Sequence, residues 1–579
     1  AKDAHELLWL FESHEKSFDP IHIATLWNKL GKQRSTSDEQ HSKKIDNLLV
    51  RTLPFIDSCD ARGWANIVHG VAKARLGRRN HREEVCTLFA AVAEKAVKSE
   101  LKDFNPQNIS NTVWAYATAD VEAEALFATV ADVVVKSELK DFEPQNISNL
   151  AYAYAMLGVK NEALFAAVAE KTVRGLNDFL KPQNLANTVW AFAKAGMKAD
   201  ALFATVSESA LRRGFHEFNP QDLVNMVWAF ASAGFDAEAL FLEIARSGVR
   251  RGLYDFEPQA LANMVWAYTA ADASHPELLR LCARQASASF CNFSHHGLVQ
   301  LHQWQTWAAL TEAHEELLDW SLRKRCREVA LATPIKSSSL QRDVGAQLPK
   351  LVEGVLEEEF LDEATGYSLD FAVPSLNLAI EVDGPHHFLL PAGRGAFRAA
   401  NGSTLLKRRL LAMAGWHVVA VPFYEWDAQI STTKCSYLKA RLSKALEAAS
   451  ADSDGVNRDV TSSEVSVGAE LIVNETMRKA ARNKVRGNKA RKARKARNVA
   501  KPVEAAVKNK AEAEQRKTAA EQRKTAAELA HPGENNVKAV DMAARQSRDW
   551  LCLVVLSIFS LAVGYNCAQH LWCLSHGPT

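Results

Sequence analysis

A pattern of 38 residues recurs along the first half of the chain, and its five clearest copies begin with Pro106, Pro144, Pro182, Pro220 and Pro258. Weaker copies at 18–31, 61–74 and 293–304 bring the array to about eight units over 1–320. Each unit reads as two helices, because proline suits a first helical turn and the later run has apolar residues at helical spacing. Since one helix pair cannot bury its apolar face alone, the sequence predicts an α-solenoid of stacked pairs.

Three positions are nearly constant between the copies: Gln, Asn and an aromatic residue follow the proline by one, five and eight residues. This spacing places all three on one helical face. One interpretation is a groove of amides that binds single-stranded RNA, about one base per repeat. The alternative is that the Asn residues bond between neighbouring helices and the aromatic residues form the core between repeats. The two rows are Asn111, Asn149, Asn187, Asn225 and Asn263, and Trp114, Tyr152, Trp190, Trp228 and Trp266.

Base-selective binding requires positions that differ between repeats, and two registers do so. Six residues after the proline stand Thr112, Leu150, Thr188, Met226 and Met264. Two residues after it stand Asn108, Asn146, Asn184, Asp222 and Ala260. These registers are therefore the candidate positions for base selection, provided that they face the groove.

Repeats of this length and pattern resemble octotricopeptide repeats, which are helical RNA-binding arrays of organelle gene-expression factors. The resemblance implies a single-stranded RNA partner and a setting in the mitochondrion or plastid. A protein-binding scaffold is a second interpretation, because a helical solenoid fold does not by itself specify RNA.

The periodicity changes after the repeats, where "YSLDFAV" and "LNLAIEVDG" read as the two strands of a hairpin. A turn near 374–377 would set Asp370 almost opposite Glu381, and side-chain alternation puts Glu381 and Asp383 on the same face. The segment "GSTLLKRRLLAMAGWHVVAVPF" then reads as a helix with Ser403 as N-cap and Gly415 as stop, followed by a strand. The sequence predicts a small α/β domain over 344–445.

The ordered motifs "LDFAVPSLNLAIEVDGPHHF" and "GSTLLKRRLLAMAGWHVVAVPFYEWD" resemble a RAP domain. The resemblance implies a restriction-endonuclease-like fold with metal-assisted phosphodiester hydrolysis, in which carboxylates hold Mg²⁺. His386 or His387 would then donate a proton or contact phosphate. Carried over by position, the catalytic residues are Asp370, Glu381, Asp383 and Lys407, and the metal ligands are Asp370, Glu381 and Asp383.

This segment departs from the nuclease pattern, because the position two after Glu381 is Asp383 where the family motif has lysine. The alternative is a strand end whose acids cap the following turn. Arg408 and Arg409 are predicted to contact RNA phosphate, although the same residues suit the solvated side of a helix.

The tail has three parts. A polar, disordered linker is expected from 446, and residues 478–497 then hold eleven Lys or Arg and no acid, which would attract phosphate in a salt-dependent way. High helix propensity without an apolar stripe extends through 548. Residues 550–569 are uncharged and about long enough to span a bilayer, so a transmembrane helix and membrane anchoring are expected there, with an interfacial segment as the alternative.

The sequence therefore predicts a sequence-selective RNA-binding protein of organellar RNA processing, stability or translation. The first alternative is a metal-dependent endoribonuclease guided by the repeats. The second is a protein-binding solenoid scaffold.

Overall fold

The computed structural model describes residues 3–33, 39–74, 81–175, 181–289, 292–311, 318–332, 337–352, 354–391 and 398–453. Within these ranges, one helix and then eight helix pairs form the array, which confirms the predicted solenoid. The helices are α1 Ala4–His14, α2 Pro20–Leu30, α3 Glu39–Thr52, α4 Ala61–Lys73, α5 Arg82–Lys98, α6 Pro106–Ala119, α7 Glu124–Lys136, α8 Pro144–Met156, α9 Glu162–Gly175, α10 Pro182–Ala195, α11 Asp200–Arg213, α12 Pro220–Ser232, α13 Glu238–Arg251, α14 Pro258–Ala270, α15 Pro276–Ala288, α16 His295–Leu310 and α17 Trp320–Leu331.

The first helices of the pairs, from α2 to α16 in even numbers, form one layer of the array, which we call the inner layer because its helices are the more closely packed. Each of the five clearest copies starts at its proline, and Asn105 and Asn219 cap two of them by accepting a bond from a backbone N–H. Neighbouring first helices pack more closely than neighbouring second helices. Close packing follows from a small residue nine after the proline, fully buried in every copy: Ala115, Ala153, Ala191, Ala229 and Ala267.

Buried tyrosines join three of the first helices, α6, α8 and α14, to the second helix of the preceding pair. Tyr116 donates its hydroxyl hydrogen to the carbonyl of Phe89 at 2.5 Å. Tyr154 and Tyr268 make the same bond one and four repeats further on, to Phe127 and Phe241. The polar end of the ring is thereby satisfied inside an apolar layer, so the bond fixes the stacking of pairs as well as adding burial.

The array is followed by a four-stranded mixed sheet. Strand β1 Met197–Lys198 lies in the array, and the later strands are β2 Glu357–Asp362, β3 Tyr367–Val373, β4 Leu378–Asp383, β5 Leu390–Pro391 and β6 His417–Pro422. The sheet order is β2-β3-β4-β6, antiparallel except for the parallel pair β4–β6. Short helix α18 Ser339–Gly345 precedes it, α19 Gly402–Met413 connects β4 to β6, and α20 Phe423–Trp426 and α21 Lys434–Ser453 follow.

Helices cover both faces of the sheet. On one face Ile380 and Val382 pack with residues of α18 and α21 such as Leu438. On the other face Ala379 packs with Leu411 of α19. The sheet therefore buries β4 completely, and the two acids of β4 lie beneath α19.

Two boundaries differ from the prediction. The N-cap of α19 is Asn401, which accepts a bond from the backbone N–H of Thr404, while Ser403 lies inside the helix. Helix α21 continues through Ser453, so the expected linker does not begin at 446.

The sheet domain packs directly against the array, and the described residues belong to one compact unit. Strands β1 and β5 pair in parallel, and the backbone N–H of Leu390 donates to the carbonyl of Gly196 at 2.6 Å. At the start of α19, a Cβ added to Gly402 would lie 1.9 Å from the carbonyl oxygen of Ala231 on α12. Glycine is therefore required where the two backbones meet.

The predicted basic segment within 454–548 and the predicted transmembrane helix at 550–569 lie outside the described residues. Among the described helices, none has both the length and the apolar composition needed to cross a bilayer.

Candidate nucleic-acid interface

The predicted rows of Gln, Asn and aromatic side chains lie on one face of the first helices. Gln107, Gln145, Gln183 and Gln221 are exposed, while the Asn of the same helices and of α14 are half-buried. The face continues into α4 at Asn66 and His69, which occupy the Asn and aromatic positions of a weaker copy. The rows therefore form a continuous surface on the inner layer from α4 to α14.

Aromatic side chains of neighbouring repeats contact each other along this surface. The ring centroids of Tyr152 and Trp190 are 5.1 Å apart, those of Trp190 and Trp228 6.1 Å, and those of Trp228 and Trp266 6.3 Å. At the other end the ring of His69 lies 5.1 Å from that of Trp114. The aromatic row therefore contributes packing between repeats, as the second interpretation predicts for these residues.

The Asn row does not join neighbouring helices. Within the described residues, the amides of Asn111, Asn149 and Asn187 have no hydrogen-bond partner. Asn225 and Asn263 accept bonds from the Gln one turn earlier in the same helix, Gln221 at 2.7 Å and Gln259 at 3.1 Å. The first three amides are therefore available to a ligand.

Bonds between helices come from a different register. Asn146, two after its proline, donates to the hydroxyl of Ser110 at 3.2 Å, and Ser148 donates to Asn184 at 3.3 Å. These side chains are buried between first helices of neighbouring repeats. The register two after the proline is consequently structural, and Asn146 and Asp222 also complete capping boxes at the starts of their own helices.

The other candidate selection register is buried as well. Thr112 and Thr188 are at most 2% exposed, and Leu150, Met226 and Met264 are fully buried. Both registers that the sequence offered for base selection are therefore excluded from the surface. The condition that these registers face the groove is not met. Residues at one register can differ between repeats because their packing environments in the core differ, so variation alone does not identify a binding position.

The acids of the sheet domain meet on the face covered by α19. Phe371 pairs with Ile380 in the β3–β4 ladder, so Asp370 comes next to Glu381, and the carboxylate of Asp370 accepts a bond from the backbone N–H of Val382 at 2.6 Å. Glu381 and Asp383 are 3% and 2% exposed. The sequence prediction placed these three acids together correctly.

Cations from α19 pair with the two β4 acids. Lys407 Nζ bonds to Glu381 Oε2, and Arg408 donates to Asp383 Oδ2 at 2.5 Å. His387 Nδ1 lies 3.1 Å from Asp383 Oδ1 and 3.1 Å from Thr404 Oγ1. This carboxylate cluster, made of Asp370, Glu381, Asp383, Lys407 and Arg408 with His387 at its rim, is therefore largely charge-compensated by the chain itself.

Burial dominates the protonation of the cluster. It raises the pKa of Glu381 to about 7 against the opposing effect of Lys407, and it also raises the pKa of Asp370. For Lys407 burial acts against the charge, but Glu381 and Asp370 together raise its pKa. Burial lowers the pKa of His387 despite Asp383 nearby. Protonated Glu381 beside charged Lys407 thus becomes populated near neutral pH.

These residues do not fit the predicted Mg²⁺ site. Magnesium needs oxygen ligands in near-octahedral geometry, but both β4 carboxylates are already bonded to cations of α19. Among the described residues, no group of three or more His, Cys, Asp or Glu is arranged to hold a metal. Metal ligation by Asp370, Glu381 and Asp383 is therefore not supported, and a catalytic role for them and Lys407 stays a prediction.

Arg409 links α19 to the array. Its guanidinium bonds to the carbonyl of Thr269 and donates to that of Ala270 at 3.3 Å, both at the end of α14. A buried cation there suits the partial negative charge of a helix C-terminus. The expected contacts of Arg408 and Arg409 with phosphate are thus replaced, in this arrangement, by bonds within the protein.

Comparison with known proteins separates the chain into the same two parts. Residues 18–305 match the family described as RNA-editing substrate-binding complex 6 protein (RESC6), and residues 380–441 match the RAP domain. The chain carries a RAP domain behind a RESC6-like helical repeat region. A chloroplastic RAP domain-containing protein of Oryza sativa subsp. japonica is 35% identical over 91 residues, which are 16% of this chain and 13% of the relative.

The matched RAP region begins at β4 and ends within α21, so it contains the carboxylate cluster except Asp370. Sequence reasoning missed two features of this RAP domain. One is the pairing of Lys407 and Arg408 with Glu381 and Asp383, which are consecutive residues on one face of β4. The adjacency of the two cations on one helix could have suggested this pairing. The other is the contact with the array, for which Gly402 and Arg409 gave no local signal.

Proposed function

We propose that this chain is a single-stranded RNA-binding protein whose inner face contacts the RNA, and that it acts in organellar RNA processing, stability or translation. The observation that carries the proposal is the row of half-buried amides of Asn111, Asn149 and Asn187, which have no hydrogen-bond partner among the described residues and recur every 38 residues beside the exposed Gln row. The family descriptions support an RNA-related role, since one names an RNA-editing substrate-binding complex.

Amides suit this role chemically. An Asn side chain donates two hydrogen bonds and accepts two, so it pairs with the base edges that single-stranded RNA exposes. A row at the repeat spacing offers one such group per repeat, as in other helical arrays that bind one base per unit. The packed aromatic row beside it holds the spacing rigid, which reduces the entropy lost on binding.

The charge of the inner face is favourable for RNA at its N-terminal end. Lys32 and Lys73 are exposed there. Burial, with a smaller contribution from Lys73 and Lys32, lowers the pKa of His69 to about 4. Further along, Lys194 acts on His296 at the start of α16 and lowers its pKa, after the larger effect of burial. Lysines at these places attract phosphate without reading sequence, and residues 478–497 add eleven cations.

The proposed organellar location is based on the similar proteins. The rice protein is described as chloroplastic, and the chain spans only 13% of its length. We place this chain in an organelle on that basis, with the RAP domain assisting RNA binding from its position against the array. The protein-binding scaffold is the competing outcome of the test below.

The test compares two triple variants of the tagged full chain by crosslinking to RNA in its native cells and sequencing the bound RNA. In the first, Asn111, Asn149 and Asn187 become Ala. In the matched control, Thr87, Thr129 and Thr205 on the second helices become Ala; their hydroxyls bond only within their own helices among the described residues. We expect discrete transcripts with wild type and control, and their loss with the Asn variant. Recovery of no RNA with wild type would favour a protein scaffold.

A further inference from the structure

One register on the inner face is open to solvent or half-buried in the earlier repeats and differs between α6, α8 and α10. It lies twelve residues after the proline, one turn beyond the aromatic row, and therefore on the same helical face as the Asn row. In α6, α8 and α10 it holds Thr118, Met156 and Lys194. Thr118 is half-buried, whereas Met156 and Lys194 are exposed. In the N-terminal copies the register holds two further exposed residues, Lys32 and Lys73.

The RAP domain covers this register in the later repeats. Gly402 lies against Ser232 of α12, whose hydroxyl is buried without a partner. Ala270 of α14 is 7% exposed, and its carbonyl accepts the bond from Arg409. The open part of the register therefore ends at Lys194 of α10.

We propose that residues 118, 156 and 194 select the bases of the bound RNA. Because the RAP domain covers the same register in α12 and α14, those two repeats do not take part in base selection. The inference rests on the proposed RNA-binding function and adds which side chains discriminate. Invariant Asn residues hold each base in place, and the residue two turns away on the same face decides which base is accepted.

The three side chains differ in the way that base selection requires. The hydroxyl of Thr118 donates and accepts a hydrogen bond, and the ammonium of Lys194 only donates, which favours the O6 and N7 acceptors of guanine. The thioether of Met156 is apolar and flexible. It has no strong donor or acceptor that a base could leave unpaired, so it excludes none of the bases. Adjacent repeats thus present different chemistry beside the same amide.

The test exchanges two of these residues. In the double variant Met156→Lys with Lys194→Met the net charge is unchanged, so non-specific attraction to phosphate is held constant. The purified full chain is selected against a pool of random RNA, and the enriched sequences are compared with those of wild type. We expect the base preferences at two adjacent positions to exchange.

The matched control is Val173→Lys. Val173 lies on the second helix α9 and is 37% exposed, close to the 38% of Met156. This control places a new lysine at similar exposure but away from the inner face, as Met156→Lys does on it, and we expect the wild-type motif to be retained. The single variant Thr118→Met serves as a second measurement, with a change of preference at one position.

Two results would contradict the inference, and they are distinguishable. RNA bound with the wild-type motif by the exchanged variant would overturn base selection by this register while leaving the proposed function intact. Failure of the wild-type chain to enrich any RNA would overturn the proposed function, and base selection with it. Circular dichroism checks that each variant is folded before selection.

Discussion

Arg409 of the RAP domain donates to the carbonyl of Ala270 at the end of α14, across 139 residues of chain. The same guanidinium bonds to the carbonyl of Thr269, which also accepts a bond from the backbone N–H of Asp272, so one side chain contacts two carbonyls at the helix end. The last turn of the inner helix α14 is therefore part of the contact surface between the RAP domain and the array. Any movement of the RAP domain relative to the array must break it.

Replacing the guanidinium of Arg409 should lower the stability of the contact between the RAP domain and the array. Arg409→Met removes the guanidinium donor from the carbonyl of Ala270 and leaves the carbonyl of Thr269 with the backbone N–H of Asp272 alone, so we expect a loss of about 1–3 kcal/mol in the free energy of unfolding, measured by urea denaturation. The control Arg174→Met removes an exposed ion pair with Glu170 and should change stability by less than about 0.5 kcal/mol. Equal effects for the two variants would contradict the assigned role.

Removing one partner of the Lys407–Glu381 ion pair should lower the free energy of unfolding strongly. Lys407→Met leaves the carboxylate of Glu381 buried without its cation, and we expect a loss of about 3–5 kcal/mol. Adding Glu381→Leu should recover much of it, because no buried charge then remains. A double-mutant cycle by urea denaturation measures the coupling, and additive effects of the two substitutions would contradict the pair.

Glu381 should make stability depend on pH. Its pKa is raised from 4.5 to about 7 in the folded chain, so the folded state holds the proton more tightly and loses stability as pH rises between these values. Glu381→Gln removes this loss. We therefore expect the variant to gain stability relative to wild type from pH 5 to pH 8, by a few kcal/mol at most. The exposed substitution Glu122→Gln is the control, and parallel curves for wild type and Glu381→Gln would contradict the assignment.

Magnesium should not stabilise the RAP domain through its carboxylates. Both β4 acids are paired with cations of α19, so a metal would have to displace Lys407 or Arg408. We expect the thermal unfolding midpoint of the full chain to be unchanged by millimolar Mg²⁺, since a ligand stabilises only the state it binds. A rise in midpoint that disappears in Asp383→Asn would instead support the predicted metal site.

Trp190 should stabilise the array by packing. Its ring contacts Tyr152 on one side and Trp228 on the other, so Trp190→Ala should lower the free energy of unfolding by about 3 kcal/mol. Trp190→Phe keeps an aromatic ring and should cost much less. RNA affinity per folded molecule should be nearly unchanged in Trp190→Phe, and a large fall in that affinity would assign the ring a direct contact with bases.

Much of the fold followed from the sequence because its determinants are local. Prolines spaced by 38 residues set where inner helices begin, and helical periodicity set which of Gln, Asn and Trp share a face. Strand alternation likewise placed Glu381 and Asp383 together. These relationships depend on residues within one helix or one hairpin, so they need no knowledge of distant parts of the chain.

The tertiary structure decided what the local pattern left open. It buried the registers of Asn146 and Thr188 between helices, left Met156 exposed, and gave the acids of β4 partners from α19 in place of a metal. It also set the RAP domain against α12 and α14. Burial and ion pairing of this kind depend on contacts between segments far apart in the chain, which no repeat or strand pattern encodes by itself.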